Sequence, residues 1–188
     1  MTTVYFIRHA EPDFNIHDDL LRPLTKQGHR DAKLVTAYLR DKGIHVVLSS
    51  PYLRAIDTVK DFADASGLEV KPIYEFRERK VDSAWIEDFT SFTKKQWEDF
   101  DYKLSDGESL REVQERNIKT LNNVLDLHEG KNIVVGTHGT ALSTMIHYYD
   151  NTYGYEDFEK MKSLMPWIVK MQFNHDLCES ITKINILK

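Results

Sequence analysis

No apolar run in this chain approaches the ~20 residues that a membrane-spanning helix demands. The amino terminus has no basic region followed by an apolar core, so a secretory signal peptide is not expected. Cysteine is almost missing: Cys178 stands alone in 188 residues. That excludes an internal disulfide and fits a reducing compartment, here the cytoplasm. Long basic runs are missing too, and the formal net charge is −5. Nucleic acid and anionic membrane surfaces are therefore poor partners. An acidic chain can still bind phosphate where a few of its cations converge. Repeats, low-complexity segments and linker-like stretches are absent, so residues 1–188 are expected to form a single domain. With 41% hydrophobic and 29% charged residues, the chain has the make-up of a soluble globular protein, long enough for one proper core.

What is present begins with Val4-Tyr5-Phe6-Ile7-Arg8-His9-Ala10-Glu11. Four β-favouring residues run into an arginine and a histidine, and Pro12 prevents a helix from following. A short continuous apolar run of this kind reads as a buried strand of a parallel sheet. Thr25 caps a first helix whose apolar face is Ala32, Val35 and Leu39, closed by Lys42-Gly43. His45 to Ser49 reads as a second strand. Ser50-Pro51 reads as the start of a second helix, with serine as cap and proline at the first position. A third strand spans Val70 to Tyr74, and Pro72 puts it near a sheet edge. Residues 76–106 form an aromatic and charged excursion (Trp85, Phe89, Phe92, Trp97, Phe100, Tyr102), read equally as a substrate cap or as packing. A long amphipathic helix covers Gly107 to Leu127, and a fourth strand covers Asn132 to Thr137. Thr140 to Tyr149 is helical, 151–165 is a loop with a helical turn or more, and two alternating segments near the carboxyl end suggest a hairpin. The expected fold is α/β: a three-layer α/β/α sandwich around a mostly parallel mixed sheet.

The carboxyl ends of parallel strands share one edge, where open α/β sheets bind ligands. Three of those ends carry Arg8-His9, Ser49-Ser50 leading to Arg54, and Thr137-His138-Gly139. Two histidines and two arginines would thus line a phosphate-sized pocket, with helix amino termini beside them. Fixed guanidinium forks stabilise the charge of a phosphoryl group through transfer. Their positive charge also disfavours imidazolium, so His9 would stay neutral and nucleophilic near pH 7. A phosphohistidine would divide the reaction into two easier displacements. The leaving alkoxide needs a proton, and Glu78, just past the third strand, is the best-placed carboxylic acid. Glu75 is its rival.

Taken together, these motifs resemble those of the histidine phosphatase superfamily, the phosphoglycerate mutase-like proteins. Arg8-His9-Ala10-Glu11 with Asn15 is similar to its first motif, and Leu24-Thr25 with Gly28 to its next. Ser49-Ser50-Pro51-Tyr52-Leu53-Arg54-Ala55 with Thr58 resembles the second-arginine motif. Phe76-Arg77-Glu78-Arg79, then Gly107-Glu108-Ser109 with Arg116, then Thr137-His138-Gly139 complete the family order. One departure stands out: the usual glycine after the histidine is Ala10, whose methyl group could narrow the pocket. The resemblance implies His9 as phosphoryl acceptor, Arg8, Arg54 and His138 as phosphate holders, Glu78 as proton donor and Asn15 as a contact to the phosphoryl group. It implies no metal and no cofactor. The expected activity is hydrolysis of phosphomonoesters, on a phosphorylated small molecule or a phosphoprotein. The alternative is a phosphoglycerate mutase using the same pocket. His17, Asp18 and Asp19 lack metal-ligand spacing and read as a solvated loop.

Overall fold

The apolar run at the amino end forms β1 (Thr2–Arg8), buried along its whole length, in a computed structural model that describes residues 1–84 and 86–187. Full burial requires cover on both faces, and the core divides accordingly. Val4 and Phe6 pack on one face, while Tyr5 and Ile7 pack on the other. Alternation along the strand thus sends successive side chains into two different layers.

The remaining strands are β2 (Val46–Ser49), β3 (Val70–Pro72), β4 (Asn132–Thr137), β5 (Trp167–Asn174) and β6 (Leu177–Ile184). Their order in the sheet is β3-β2-β4-β1-β5-β6. The pairs β1–β4, β4–β2 and β2–β3 are parallel. The pairs β1–β5 and β5–β6 are antiparallel, closing the sheet with the expected hairpin. Pro72 lies in the edge strand, where its missing N–H breaks no ladder.

Helices α1 (Lys26–Leu39) and α2 (Leu53–Ala65) cover one face through Val35, Leu39, Val59 and Phe62. Helices α4 (Leu110–Leu127), α5 (Gly139–Tyr149) and α6 (Tyr155–Met161) cover the other through residues such as Leu121, Leu142 and Phe158. The result is the three-layer sandwich. Each fully buried Leu, Val or Phe contributes roughly 1.5–3 kcal/mol, so the β1 face residues anchor the strand that carries the first histidine. Helix α3 (Phe89–Glu98) is the one helix of the 76–106 excursion among its described residues; Trp85 lies outside them.

Three local expectations shift in the structure. Helix α2 begins at Leu53 with Tyr52 at the cap position and no side-chain cap bond. Ser50 lies two residues before that position; its oxygen accepts from Tyr52 N–H (3.3 Å) and its hydroxyl meets His138 Nε2 (2.8 Å). Helix α1 ends at Leu39, before Lys42-Gly43, and Gly43 takes φ +59° in the turn that follows. The third strand also stops at Pro72, and residues Tyr74–Phe76 form a 3₁₀ turn.

Candidate active site

Strand β4 lies between β1 and β2, so the carboxyl ends of the three sit side by side. Backbone bonds continue the pairing one residue past the strands: His9 N–H donates to the Thr137 carbonyl (3.1 Å) and Ser50 N–H to the Gly136 carbonyl (2.8 Å). Adjacent strands lie about 4.8 Å apart, and the rings of His9 and His138 follow, with centroids 5.3 Å apart at 61°. The convergence expected from strand order is therefore present in the side chains.

His9 is oriented by its own backbone. Nδ1 lies 2.8 Å from the Ala10 carbonyl oxygen. A carbonyl can only accept, so Nδ1 carries the proton and Nε2 keeps a bare lone pair. The peptide that does this is held in turn. Ala10 N–H donates to Thr58 Oγ1 (2.9 Å), whose hydroxyl donates to the Arg54 carbonyl (2.7 Å). The methyl group of Ala10 packs with Leu24 and Ala32, and its φ is not positive. Alanine in place of the usual glycine is thus accommodated by the hydrophobic contact behind the loop.

Arg8 is 8% exposed and anchored through one nitrogen. Nη1 donates to the carbonyls of Met161 (2.7 Å), Lys162 (3.1 Å) and Leu164 (2.9 Å) at the end of α6. Carbonyls at a helix carboxyl end lack intrahelical partners and suit a cation. Nε of Arg8 is buried and has no partner among the described residues. That side of the guanidinium is the one that grips an oxyanion with two parallel bonds. Burial pulls the Arg8 guanidinium down to about 10, which still leaves it charged at neutral pH.

Arg54, 3% exposed, donates through Nη1 to the Asp19 carbonyl (2.7 Å) and lies over the Tyr52 ring at 5.0 Å. Its Nη2 is 3.5 Å from the Asp19 carboxylate, which also pairs with Arg22 at 3.0 Å. Arg22 further donates to the Ile16 carbonyl (2.6 Å), so it ties the β1–α1 loop beside the site. Sequence reasoning missed Arg22 and read Asp19 as merely solvated. The available signal was a cation two residues before the Leu24-Thr25 motif.

The two imidazoles are held well below their usual range. For His9 the causes are burial first, then the charges of Arg54 and Arg8. For His138 they are burial, then Arg54 and His9. Both rings are neutral at pH 7. This has a consequence for folding. Below about pH 6.5 the unfolded chain takes up protons on these histidines and the folded chain does not. Stability should then fall as pH drops, by about 1.4 kcal/mol per pH unit for each ring, until the folded-state values are reached. Urea unfolding of the wild type and His9→Ala at pH 7 and pH 5.5 isolates one ring. The wild type should lose more stability than the variant over that interval, and equal losses would contradict the assignment.

Glu78 reaches the same edge from the 3₁₀ turn. Its Oε2 accepts from Thr140 N–H (3.0 Å), and its Oε1 accepts from Ala141 N–H (3.0 Å) and Arg79 N–H (2.8 Å). His138 occupies the cap position of α5 without capping it, and Glu78 supplies the missing acceptors from another segment. The carboxyl group is thereby fixed beside His138. Oε2 has a single N–H partner, so one of its lone pairs remains for a proton. Glu75 lies elsewhere: its side chain is 46% exposed and pairs with Arg77 at 3.0 Å.

Other motif residues prove to be supports. Arg116 donates to the carbonyls of Glu75 (2.6 Å), Arg77 (3.0 Å) and Glu78 (3.3 Å), and its Nε bonds Glu108 at 2.8 Å. Glu108 also accepts from Lys80 N–H at 2.9 Å. A Cβ at Gly107 would collide with the Val81 carbonyl, so glycine permits this close approach. A Cβ at Gly28 would likewise meet the Glu11 carbonyl. The aromatic excursion divides. Trp97 packs on Tyr153 and Phe158, and Phe100 on His147. Phe89 and Phe92 instead flank the buried Arg79 guanidinium at 5.4 and 5.3 Å, next to Glu78. Asn15 sits in an exposed turn with its amide bonded to Asp13 (2.9 Å). Among the described residues, no group of three or more His, Cys, Asp or Glu side chains is arranged to hold a metal.

The family model for the histidine phosphatase superfamily (branch 1) matches residues 4–185. The chain belongs to the histidine phosphatase superfamily. A probable phosphoglycerate mutase of Serratia proteamaculans is 31% identical over 160 residues, covering 78% of this chain and 74% of that protein. Among solved structures, a phosphoserine phosphatase from Entamoeba histolytica, in complex with 3-phosphoglyceric acid, is 23% identical with a TM-score of 0.79, each chain covered to 100%. YhfR of Bacillus stearothermophilus is 20% identical with a TM-score of 0.76, each chain covered to 95%. At these identities the structural likenesses establish the fold. Histidine phosphatase architecture therefore accounts for the strand order, and the site must be argued from its own geometry.

Proposed function

We propose that this histidine phosphatase domain hydrolyses phosphomonoesters through a phosphohistidine on His9. The observation that carries the reading is the His9 ring, with Nδ1 bound to the Ala10 carbonyl and Nε2 left bare, its imidazole kept neutral by burial and by the charges of Arg54 and Arg8. The Nε2 lone pair attacks phosphorus and the bond to the alcohol oxygen breaks. Glu78 gives its proton to the departing oxygen. Water then attacks the phosphohistidine and loses its proton to Glu78; the phosphorus–nitrogen bond breaks, and neutral His9 returns. Arg8, Arg54 and His138 hold the phosphoryl oxygens throughout, and Asn15 turns in to contact them. No step needs a metal.

The substrate is a small phosphorylated metabolite or a phosphorylated protein side chain. Phosphoserine and 3-phosphoglycerate, present in structures of the Entamoeba protein, head the candidates. No described helix is long and apolar enough to cross a membrane, and the single cysteine suits a cytoplasmic location. The curated relatives' name supports a second reading, phosphoglycerate mutase, in which the phosphoryl group returns to product. A panel of phosphoserine, 3-phosphoglycerate, sugar phosphates, nucleotides and phosphopeptides, assayed with and without chelator, tests both. We expect release of inorganic phosphate at a rate the chelator does not change. Isomerisation of 3-phosphoglycerate that depends on a bisphosphorylated primer, with little phosphate released, would favour the mutase.

A further inference from the structure

The two histidines of the site are held through different nitrogens. His9 uses Nδ1 to reach a carbonyl and leaves Nε2 bare. His138 does the reverse. Its Nε2 lies 2.8 Å from Ser50 Oγ, while its Nδ1 is buried without a partner among the described residues. A hydroxyl can donate or accept, so this contact alone does not place the proton. Tyr52 N–H points at the same Ser50 oxygen, 3.3 Å away. A backbone N–H can only donate, so one Ser50 lone pair is filled there and a second remains. The direction follows from the hydroxyl proton: among the described residues its one acceptor within reach is His138 Nε2, so a Ser50 that accepted from both neighbours would bury its own proton unpaired.

We propose that Ser50 donates its hydroxyl proton to His138 Nε2 and so fixes His138 as a neutral ring with its proton on Nδ1, the donor to the phosphoryl group. Three considerations converge on this arrangement. Nε2 is already occupied, so Nδ1 is the nitrogen left to meet an oxyanion. An unprotonated Nδ1 would present a lone pair to phosphoryl oxygens and repel them. A buried N–H without an acceptor is costly, commonly filled by water or ligand, and the ligand expected here is rich in acceptor oxygens. Burial and the neighbouring Arg54 charge keep the ring neutral, so its single proton must sit where it is used. Both histidines then share the Nδ1–H tautomer, yet one turns a lone pair to the substrate and the other an N–H. One acts as nucleophile and the other as donor.

Ser50 is thus a positioning residue that works through His138. The tautomer part of the proposal is carried by the contacts of Ser50 with Tyr52 and His138. The phosphoryl part rests on the function proposed above, and the test separates the two.

The experiment is 15N NMR of histidine-labelled full-length protein at pH 7, which reads the protonation of each ring nitrogen. His9 and His138 should both show a protonated Nδ1 and a bare Nε2. In Ser50→Ala the His138 proton should move to Nε2, with His9 as an unchanged internal control. Ser50→Thr should restore the wild-type pattern. With the best ester of the panel, Ser50→Ala should lower kcat/KM about tenfold, the scale of one hydrogen bond, and Ser50→Thr should recover it. A wild-type His138 protonated on Nε2 overturns the proposal even if Ser50→Ala does not fold. Unchanged His138 shifts in a folded Ser50→Ala overturn it equally. The expected tautomers in a protein that cleaves no phosphomonoester would uphold the proton placement and defeat the phosphatase reading.

Discussion

His9→Ala should abolish turnover, a fall of roughly 10⁶-fold on the scale seen when a covalent nucleophile is removed from a hydrolase. The reason is that no other group can take its place. His138 presents no free lone pair at the same point, because its Nε2 is bound to Ser50. Two further histidines are engaged elsewhere: His147 Nδ1 bonds the Tyr153 carbonyl at 2.7 Å, and His45 Nδ1 accepts from Asn132 N–H at 3.1 Å. The fold should survive, because β1 is held by its pairings with β4 and β5 and the lost bond is a local one. Circular dichroism would verify folding, and binding of inorganic phosphate would verify that Arg8 and Arg54 still work. Substantial turnover in folded His9→Ala would remove the phosphohistidine from the mechanism.

Glu78→Gln should slow esters with poor leaving groups by about 10²–10⁴-fold, the usual worth of a positioned general acid. It should matter far less for p-nitrophenyl phosphate, whose leaving group needs little protonation. The comparison is needed because Glu78 has a second task. Its oxygens satisfy N–H groups at the start of α5, and glutamine offers one acceptor oxygen where glutamate offers two. Some loss of stability, about 1 kcal/mol as for other helix caps, is therefore expected in either case. Damage confined to folding or to the placement of His138 would reduce both substrates alike, and that outcome would count against the acid role. Glu75→Gln serves as control, since Glu75 pairs with Arg77 away from the site.

The sequence carries the site's convergence more clearly than its orientation. The unbroken apolar runs at Val4–Ile7 and Ile133–Val135 announce buried parallel strands, and parallel strands must end on one edge. Strand order alone therefore puts His9 beside His138, and the observed 5.3 Å separation follows from strand spacing. Which ring nitrogen faces the substrate was not legible. It depends on the Ala10 carbonyl and on Ser50, contacts set by backbone direction and by folding across 88 residues. The capping of α5 by Glu78 has the same character, spanning 62 residues. Local rules even mislead at Ser50-Pro51, where the dipeptide fits a helix start and α2 begins two residues later, at Leu53 after a Tyr52 cap. Arg22 is hard to read because its place beside Leu24-Thr25 is its one signal in sequence, and its partners Asp19 and the Ile16 carbonyl are set by the loop's fold. Ala10 shows the opposite case. A departure from the family pattern raised concern about the pocket, and packing with Leu24 and Ala32 resolves it.

Trapping of the phosphoryl-enzyme tests the central claim most directly. Rapid mixing of the full chain with 32P-labelled ester, quenched in alkali within the first turnover, should yield protein-bound label that is stable to base and labile to acid. Peptide mapping should place it on His9, and the label should disappear in His9→Ala. Turnover with no labelled protein at any quench time, or label that maps to a residue other than His9, would contradict the account.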